Sequence, residues 1–377
     1  MRVAFSFFND VEDEGTDFIF ENFCEISKAH LEHTFIFITN KNSSKFIFSE
    51  NVIPVIIDFK LNGFIRRLIL MNLKIPPILK KYKADIFVAE KFCSLVTKVP
   101  QILVNPDLDF IQQPSFFNKN QKVFYKIFTP KFINKAASII VFSKFAKTEI
   151  IHQYQTEAKK IEVIYDAIIK NHEPVNWERR EAIKEKYADG NEYFLYAGII
   201  GEENNLIHLL KAFSLFKKRQ RSSMQLIFAG KAGKNYEKFI KSLNLFKFKK
   251  EIKVIENLSS EKKAEISSAA YAMINPSIFE SNANAVVNSI QLDVPVLISS
   301  KGVLQEICGE ASINFDGTNP ADIAEKMMLI FKDEQLRKQL IEKGNGLLKK
   351  INAEKSLFAV IENIGVGNIN GIFSKPQ

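Results

Sequence analysis

Short apolar runs of the kind found in buried strands alternate with helical patterns along most of this chain. This alternation constrains the fold more than any single motif. In the first half, the predicted strands include Thr34–Thr39 and Gln101–Val104. The same alternation begins again with predicted strands at 193–197 and 225–229. Strands that alternate with helices pair in parallel and carry helices on both faces of the sheet. The sequence therefore predicts an α/β protein.

A polar and charged stretch separates the two alternating halves. It runs from 166 to 191 and contains Pro174 and the only tryptophan, Trp177. A chain of 377 residues is long enough for two separate cores. We predict an N-terminal domain over 1–168, a linker over 169–191 and a C-terminal domain over 192–352. Residues 353–377 are predicted as a helix to about Asn363 that crosses back to the first domain, followed from Gly365 by a loose tail with glycines and a proline.

The composition is typical of a globular protein of the cytoplasm. Hydrophobic residues make up 46% and charged residues 25% of the chain. No apolar run reaches the roughly 18–20 residues of a membrane-spanning helix, and the first residues lack the cleavage region of a signal peptide. The cysteines Cys24, Cys93 and Cys308 are far apart and have no metal-binding spacing, which favours reduced thiols.

The net charge of +9 suggests an anionic partner. No nucleic-acid-binding motif is present, and the aromatic residues are spread over apolar runs, so nucleic acid is not predicted. The stretch 64–83 mixes arginine and lysine with leucine and isoleucine, which suits the surface of an anionic membrane. An ordinary surface helix with a solvated basic face fits the same pattern. Both interpretations remain open at this stage.

One stretch, NPSIFESNANAVVNSIQLDVPVLIS over 275–299, predicts a binding site. It combines the end of a strand, a short polar loop containing Glu280, an amphipathic helix and a second buried strand. The first turn of a helix has unsatisfied N–H groups and the positive end of the helix dipole, so such a place can bind phosphate.

The same stretch resembles the donor-site segment of GT-B glycosyltransferases of family 4, also called group 1. Pro276, Ser277 and Glu280 match that family's pattern, and weaker matches such as SKFAKTEI, IEVIYDAI, FLYAG and QLIFAGK follow in the family's order over roughly 1–363. The resemblance implies a GT-B fold, in which two doubly wound Rossmann-like domains face a central cleft. The acceptor would bind the N-terminal domain and a nucleoside-diphosphate sugar the C-terminal one.

The resemblance also implies the site residues. Glu280 and Asp107 are the expected catalytic residues. The expected donor-binding residues are Gly198, Gly201, Asn204, Lys231, Ser281, Asn282, Asn284 and Asn288. Lys231 or Lys234 would replace a missing cation near the diphosphate, although either can be an exposed loop lysine. Likewise Glu280 can simply stabilise the start of the helix, and Asn282 can be its N-cap.

Four positions depart from the family's pattern. Ile199 and Asn204 stand where the family has the Arg and Lys that hold the donor diphosphate, Pro106 replaces a His, and Asn288 replaces a second Glu. Cations at those places neutralise the leaving nucleotide. A catalytically inactive relative that acts as a partner or regulatory subunit is therefore an alternative. A nucleotide-sugar epimerase is a third, although its carboxylates and histidine cannot be placed.

For an active enzyme, the resemblance implies transfer of a sugar to an acceptor hydroxyl with retention of configuration, without a metal or other cofactor. No phosphate-binding P-loop pattern and no carboxylate pair with metal-ligand spacing occurs in the sequence. Assembly of cell-surface polysaccharide or lipopolysaccharide, at the inner face of the membrane, is the setting that we expect by analogy.

Overall fold

A computed structural model describes most of the chain. The described residues are 1–8, 17–40, 48–58, 63–106, 117–165, 173–201, 204–233, 235–278, 283–300, 302–352 and 357–373. The chain divides into two compact units. The first consists of Met1–Ile164 and Lys355–Gln377, and the second of Tyr165–Glu354.

The first unit is built on a parallel sheet of seven strands in the order β3-β2-β1-β4-β5-β6-β7. Its strands are β1 Arg2–Phe7, β2 Thr34–Thr39, β3 Val52–Ile56, β4 Ile86–Glu90, β5 Gln101–Val104, β6 Ser138–Val141 and β7 Ile161–Val163. The central strands are apolar along nearly their whole length because helices cover both faces of the sheet.

The helices of the first unit include one that the sequence did not predict. They are Asp17–Ala29, Phe64–Ile69, Ile75–Lys81, Lys119–Lys135, Lys144–Tyr154 and Leu357–Phe373, with a π-helical turn at Leu70–Lys74. The unpredicted helix, Lys119–Lys135, contains Pro130, which normally ends a helix. A capping box between Asn118 and Gln121 fixes its start.

The second unit repeats the architecture with six parallel strands in the order β10-β9-β8-β11-β12-β13. They are β8 Tyr193–Ile200, β9 Gln225–Ala232, β10 Ile252–Glu256, β11 Ala272–Asn275, β12 Val296–Ser299 and β13 Ser312–Phe315. Its helices are Trp177–Ala188, Leu206–Arg219, Tyr236–Leu243, Ser260–Ser268, Asn284–Gln291, Val303–Cys308, Pro320–Lys332 and Glu334–Asn352. One hydrophobic cluster lies on each face of this sheet, one around Phe213 and Phe216 and the other around Ile183 and Val286.

The predicted α/β class with two doubly wound domains is confirmed. The segment predicted as a linker, 169–191, belongs to the second unit and contains the Trp177–Ala188 helix. The last helix, Leu357–Phe373, runs ten residues past the end predicted at about 363. In each sheet the strand order reverses beside the first strand, between β1 and β4 and between β8 and β11. Ligands of doubly wound sheets bind outside the carboxyl ends of the strands at such a point.

Candidate functional site

Two glycines bring the backbones of β8 and β9 unusually close at their carboxyl ends. Gly198 has φ 155°, which side chains disfavour. Gly230 is its register partner on β9, and a Cβ placed on Gly230 would lie 1.7 Å from the carbonyl oxygen of Gly198. No other residue fits at Gly230 without a backbone shift, so the pair leaves bare backbone at the edge where a ligand is expected.

The loop after β8 is held in place by side chains that bind backbone carbonyls. Tyr196 Oη and Asn204 Nδ2 both donate to the carbonyl of Ile199, at 2.9 and 2.7 Å. Asn204 Oδ1 lies 3.5 Å from the hydroxyl of Ser277, which follows β11. The amide donor of Asn204 thus serves the loop itself, and its predicted role in donor binding remains a prediction.

Asn205 joins three strand ends, and the sequence analysis missed it. Its backbone is in the left-handed region, with φ 61°, where asparagine is tolerated better than most residues. Its Nδ2 donates to the carbonyl of Pro276 at 3.1 Å and also to the carbonyl of Gly317. The loop after β8 is therefore tied to the ends of β11 and β13. The sequence signal that could have identified Asn205 is the asparagine pair 204–205 directly before the Leu206–Arg219 helix.

Lys231 lies directly beside the position where the family's arginine is missing. Ile199 on β8 is 42% exposed, and Lys231 on β9 is its register partner. Residues in register on neighbouring parallel strands project from the same face of the sheet. The partly exposed Lys231 side chain therefore starts one strand away from Ile199, on the same side.

The helix after β11 begins without a capping side chain at its N-cap. That position is Ala283, which has no side-chain oxygen, so Asn282 is not the N-cap. Asn284 and Asn288 are one turn apart on this helix, whose opposite face is buried through Val286 and Ile290. The buried Oδ1 of Asn288 accepts no hydrogen bond from the described residues. A buried amide oxygen without a donor can accept a hydrogen bond from a hydroxyl group of a ligand.

Several predicted site residues lie outside the described residues. They are Asp107, Lys234, Glu280, Ser281 and Asn282. Of the described ones, Gly198, Gly201, Asn204 and Lys231 lie at the ends of β8 and β9 or in the loop that follows, and Asn284 and Asn288 lie on the helix that follows β11. Pro106, which replaces the family's His, is buried just after β5.

The first unit has a pocket at its own switch point, between the ends of β1 and β4. The pocket and the open space at its mouth together amount to about 350 Å³. The residues that line it are Ser6, Phe8, Arg67, Leu70, Met71, Glu90 and Phe92. The guanidinium of Arg67 lies 5.8 Å from the centre of the Phe92 ring, within the range of a cation–π interaction. The pocket thus combines one cation, one carboxylate, a hydroxyl and an aromatic surface.

Two features are absent from the described part of the chain. No described helix is long and apolar enough to span a bilayer. No group of three or more His, Cys, Asp or Glu among the described residues is arranged to hold a metal ion.

Comparison with known proteins confirms the GT-B resemblance. The family described as glycosyl transferases group 1 matches residues 178–346. The O-antigen chain mannosyltransferase B of Escherichia coli is 21% identical over 249 residues, which cover 66% of this chain. The chain spans 65% of the length of that relative.

Solved structures resemble the chain over its full length. WaaG, a glycosyltransferase involved in lipopolysaccharide biosynthesis, superposes with a TM-score of 0.75 at 13% identity and covers 97% of this chain and 99% of its own. HepE of Anabaena in complex with UDP-glucose gives 0.73 at 13% identity, with 98% and 100% covered. The chain has the GT-B fold, and its second unit carries the match to the family described as glycosyl transferases group 1.

Proposed function

We propose that this protein transfers a sugar from a nucleoside-diphosphate sugar to an acceptor hydroxyl during assembly of a cell-surface glycan. The observation that carries the proposal is the close approach of Gly198 and Gly230 at the carboxyl ends of β8 and β9, beside the switch point of the unit that matches the group 1 family. Bare backbone at such an edge lets a diphosphate approach N–H groups. The named relatives act in O-antigen and lipopolysaccharide assembly, and HepE binds UDP-glucose, which favours the same class of donor.

The proposed chemistry relies on positioning and charge. Lys231 and the N–H groups at the start of the Asn284–Gln291 helix stabilise the departing diphosphate, as cations and helix N-termini do. Asn288 accepts a hydroxyl of the donor with its buried amide oxygen. Glu280 contacts the transferred sugar, and the reaction retains configuration without a metal. NMR of the product's anomeric proton tests retention, and turnover in excess chelator tests metal independence.

The acceptor is proposed to bind the first unit. In its pocket, the Glu90 carboxylate is proposed to accept hydrogen bonds from sugar hydroxyls. The Arg67 guanidinium is proposed to pair with an anionic group of the acceptor. A lipid-linked acceptor at the inner face of the cytoplasmic membrane would combine both features, and the basic segment 64–83 is proposed to lie on that surface. Asp107 is proposed to act beside the acceptor.

Calorimetric titration tests donor binding. We expect UDP, GDP or one of their sugars to bind, and Lys231→Gln to weaken that binding about fivefold, as expected for the loss of about 1 kcal/mol of charge interaction. Lys238→Gln, an exposed lysine on the Tyr236–Leu243 helix, is the matched control and should leave the affinity unchanged. Ile199→Arg should tighten binding. Absence of binding by every nucleotide at millimolar concentration would refute the transferase proposal.

An inactive relative that acts as a partner subunit is the second candidate. It is favoured because Ile199 exposes an apolar side chain at the donor edge and the amide of Asn204 is engaged by the loop. Glu280→Ala separates the two candidates. In an active transferase it should reduce turnover at least a hundredfold with little change in melting temperature. A wild-type protein that binds nucleotide but shows no turnover with any acceptor would support the partner role.

A further inference from the structure

Two neighbouring helical segments of the first unit carry positive charge only. Residues 64–81 contain Arg66, Arg67, Lys74, Lys80 and Lys81, and the Lys119–Lys135 helix contains Lys119, Lys122, Lys126, Lys131 and Lys135. Neither segment contains an aspartate or a glutamate. Surface helices of globular proteins normally mix both signs of charge. The outer surface of these two segments is therefore positive, with no acidic residue in either segment to offset the charge.

The two segments meet on one face of the first sheet through their aromatic and apolar side chains. The Phe64 and Phe124 rings, one from each segment, have centroids 4.5 Å apart. Buried residues of both segments, including Leu70, Ile75 and Phe132, enter the same hydrophobic cluster. Because the inner faces share one cluster, the outer faces of the two helices point away from the same side of the sheet.

Those outer faces carry an aliphatic stripe. The exposed apolar residues are Ile65 at 58%, Ile69 at 41%, Leu73 at 67%, Val123 at 58% and Ile127 at 48%. They make up five of the thirteen large apolar side chains that are exposed among the described residues. On each segment they recur every four residues. Exposed apolar residues scattered singly need no explanation, but a row on each of two helices that meet on one face of the sheet indicates a binding surface.

The π-helical turn keeps the first stripe straight. In an α-helix, four residues advance about 40° beyond one full turn, so a stripe with that spacing drifts around the helix. The turn at Leu70–Lys74, with its wider i→i+5 hydrogen bonding, begins directly after Ile69 and contains Leu73. It takes up more residues per turn, which returns Leu73 toward the line of Ile65 and Ile69.

We propose that these two helices form a docking face for the surface of an anionic lipid bilayer. The docking face consists of the aliphatic stripe just described and the exposed cations Arg66, Lys74, Lys126 and Lys131 around it. Aliphatic side chains enter the boundary between headgroups and acyl chains while lysine and arginine contact anionic headgroups. A nucleic acid would match the charge but offers no place for the aliphatic stripe, so the charge and the stripe together favour the bilayer.

The docking face also explains the position of the pocket in the first unit. Arg67, Leu70 and Met71 line that pocket from the same helical segment that presents Ile69 and Leu73 outward. An acceptor attached to a membrane lipid would thus meet the pocket without leaving the surface. The docking face extends the membrane contact proposed above for segment 64–83 to a second helix and an aliphatic stripe. Only the link to the acceptor rests on the proposed transferase activity.

Vesicle flotation of the full chain without nucleotide tests the docking face. We expect binding to vesicles of phosphatidylcholine mixed with phosphatidylglycerol, release by salt, and little binding to phosphatidylcholine alone. Each lysine near an anionic surface contributes about fivefold to partition. The triple variant Lys74→Gln, Lys126→Gln, Lys131→Gln should therefore lose on the order of a hundredfold.

A second triple variant removes the stripe and keeps the charge. Ile69→Gln, Leu73→Gln and Ile127→Gln together should lose at least tenfold in partition, with circular dichroism unchanged because all three side chains are exposed. The matched control combines Lys238→Gln and Leu245→Gln, both exposed in the second unit, and should bind as the wild type does.

Two results would overturn the proposal. Wild-type binding by both triple variants would show that another surface contacts the bilayer. A wild-type dimer in sedimentation velocity that the stripe variant abolishes would assign the stripe to a second copy of the chain. Donor binding, measured separately by calorimetry, can fail without affecting either result.

Discussion

At the switch point of the first sheet, the ends of β1 and β4 leave a pocket lined by Arg67 and Glu90, whereas the ends of β8 and β11 in the second sheet are joined by neutral side chains. There Asn204 and Asn205 bind the carbonyls of Ile199 and Pro276. The two sheets share a strand order around this point. The comparison shows that topology fixes where a site lies, while its charge depends on a few residues at the strand ends and in the segments next to them.

The two edges differ in charge, and the two units can be compared in stability as well. Each unit buries one thiol whose reactivity reports how often that unit opens. Burial raises the pKa of Cys93 in the first unit and of Cys308 in the second to about 12. At pH 8 this lowers the thiolate fraction about a thousandfold relative to a free thiol. In a Cys24→Ser background, neither thiol should react with a disulfide reagent until its unit opens.

Mass spectrometry of the labelled peptides would measure the two opening rates separately. Equal opening rates that rise together with the denaturant concentration would show that the two units unfold as one. The units would then differ in the charge of their sites but not in stability. Rapid reaction of either thiol in the native protein would contradict the burial on which the prediction depends.

Gly230→Ala should have the largest effect on stability in the second unit. The new Cβ would overlap the carbonyl of Gly198, and backbone cannot yield as a side chain can. We expect a loss of about 3 kcal/mol or more, seen as a lower denaturation midpoint for the second unit. Gly346→Ala, in the Glu334–Asn352 helix with open space around it, is the matched control and should gain about 0.5–1 kcal/mol.

The positions and ends of the strands could be predicted because buried strands of a parallel sheet are apolar along their length. The strands Thr34–Thr39 and Gln101–Val104 have the bounds predicted from the sequence. The Lys119–Lys135 helix could not be predicted, because Pro130 lies within it and its apolar residues do not follow one face clearly. Tertiary packing against the sheet, which a local pattern does not contain, decides such a case.

The candidate site was predicted less completely than the fold. The sequence predicted Gly198, Lys231 and the start of the Asn284–Gln291 helix as donor-site elements, and their role remains a prediction. It could not show that Lys231 pairs in register with Ile199. That relation depends on how two strands align. The pocket in the first unit combines Ser6, Arg67 and Glu90, whose proximity depends on the order of the strands and not on any local motif.

Substitution of Asn205 tests how the loop after β8 is held at the carboxyl edge of the second sheet. Asn205→Ala removes the donor to Pro276 and Gly317 and places alanine in the left-handed region, so we expect a loss of about 2–3 kcal/mol. Asn205→Gly keeps the conformation accessible and should lose only about 1 kcal/mol. Urea denaturation measures both variants. Equal losses would mean that the hydrogen bonds, not the backbone conformation, hold the loop.

The smallest expected effect is a pH dependence from His208, near the start of the Leu206–Arg219 helix. Burial lowers its pKa below the ordinary value of 6.5, and Lys211 adds to this while Asp316 opposes it. The unfolded chain therefore binds the proton more tightly than the folded one. The contribution of His208 to stability is present above pH 6.5 and is lost as the pH falls through the folded-state pKa. Urea denaturation across this range should show a steeper decline for the wild type than for His208→Gln. Parallel curves would show that His208 is not linked to folding, and a shallower wild-type curve would mean that Asp316 outweighs burial.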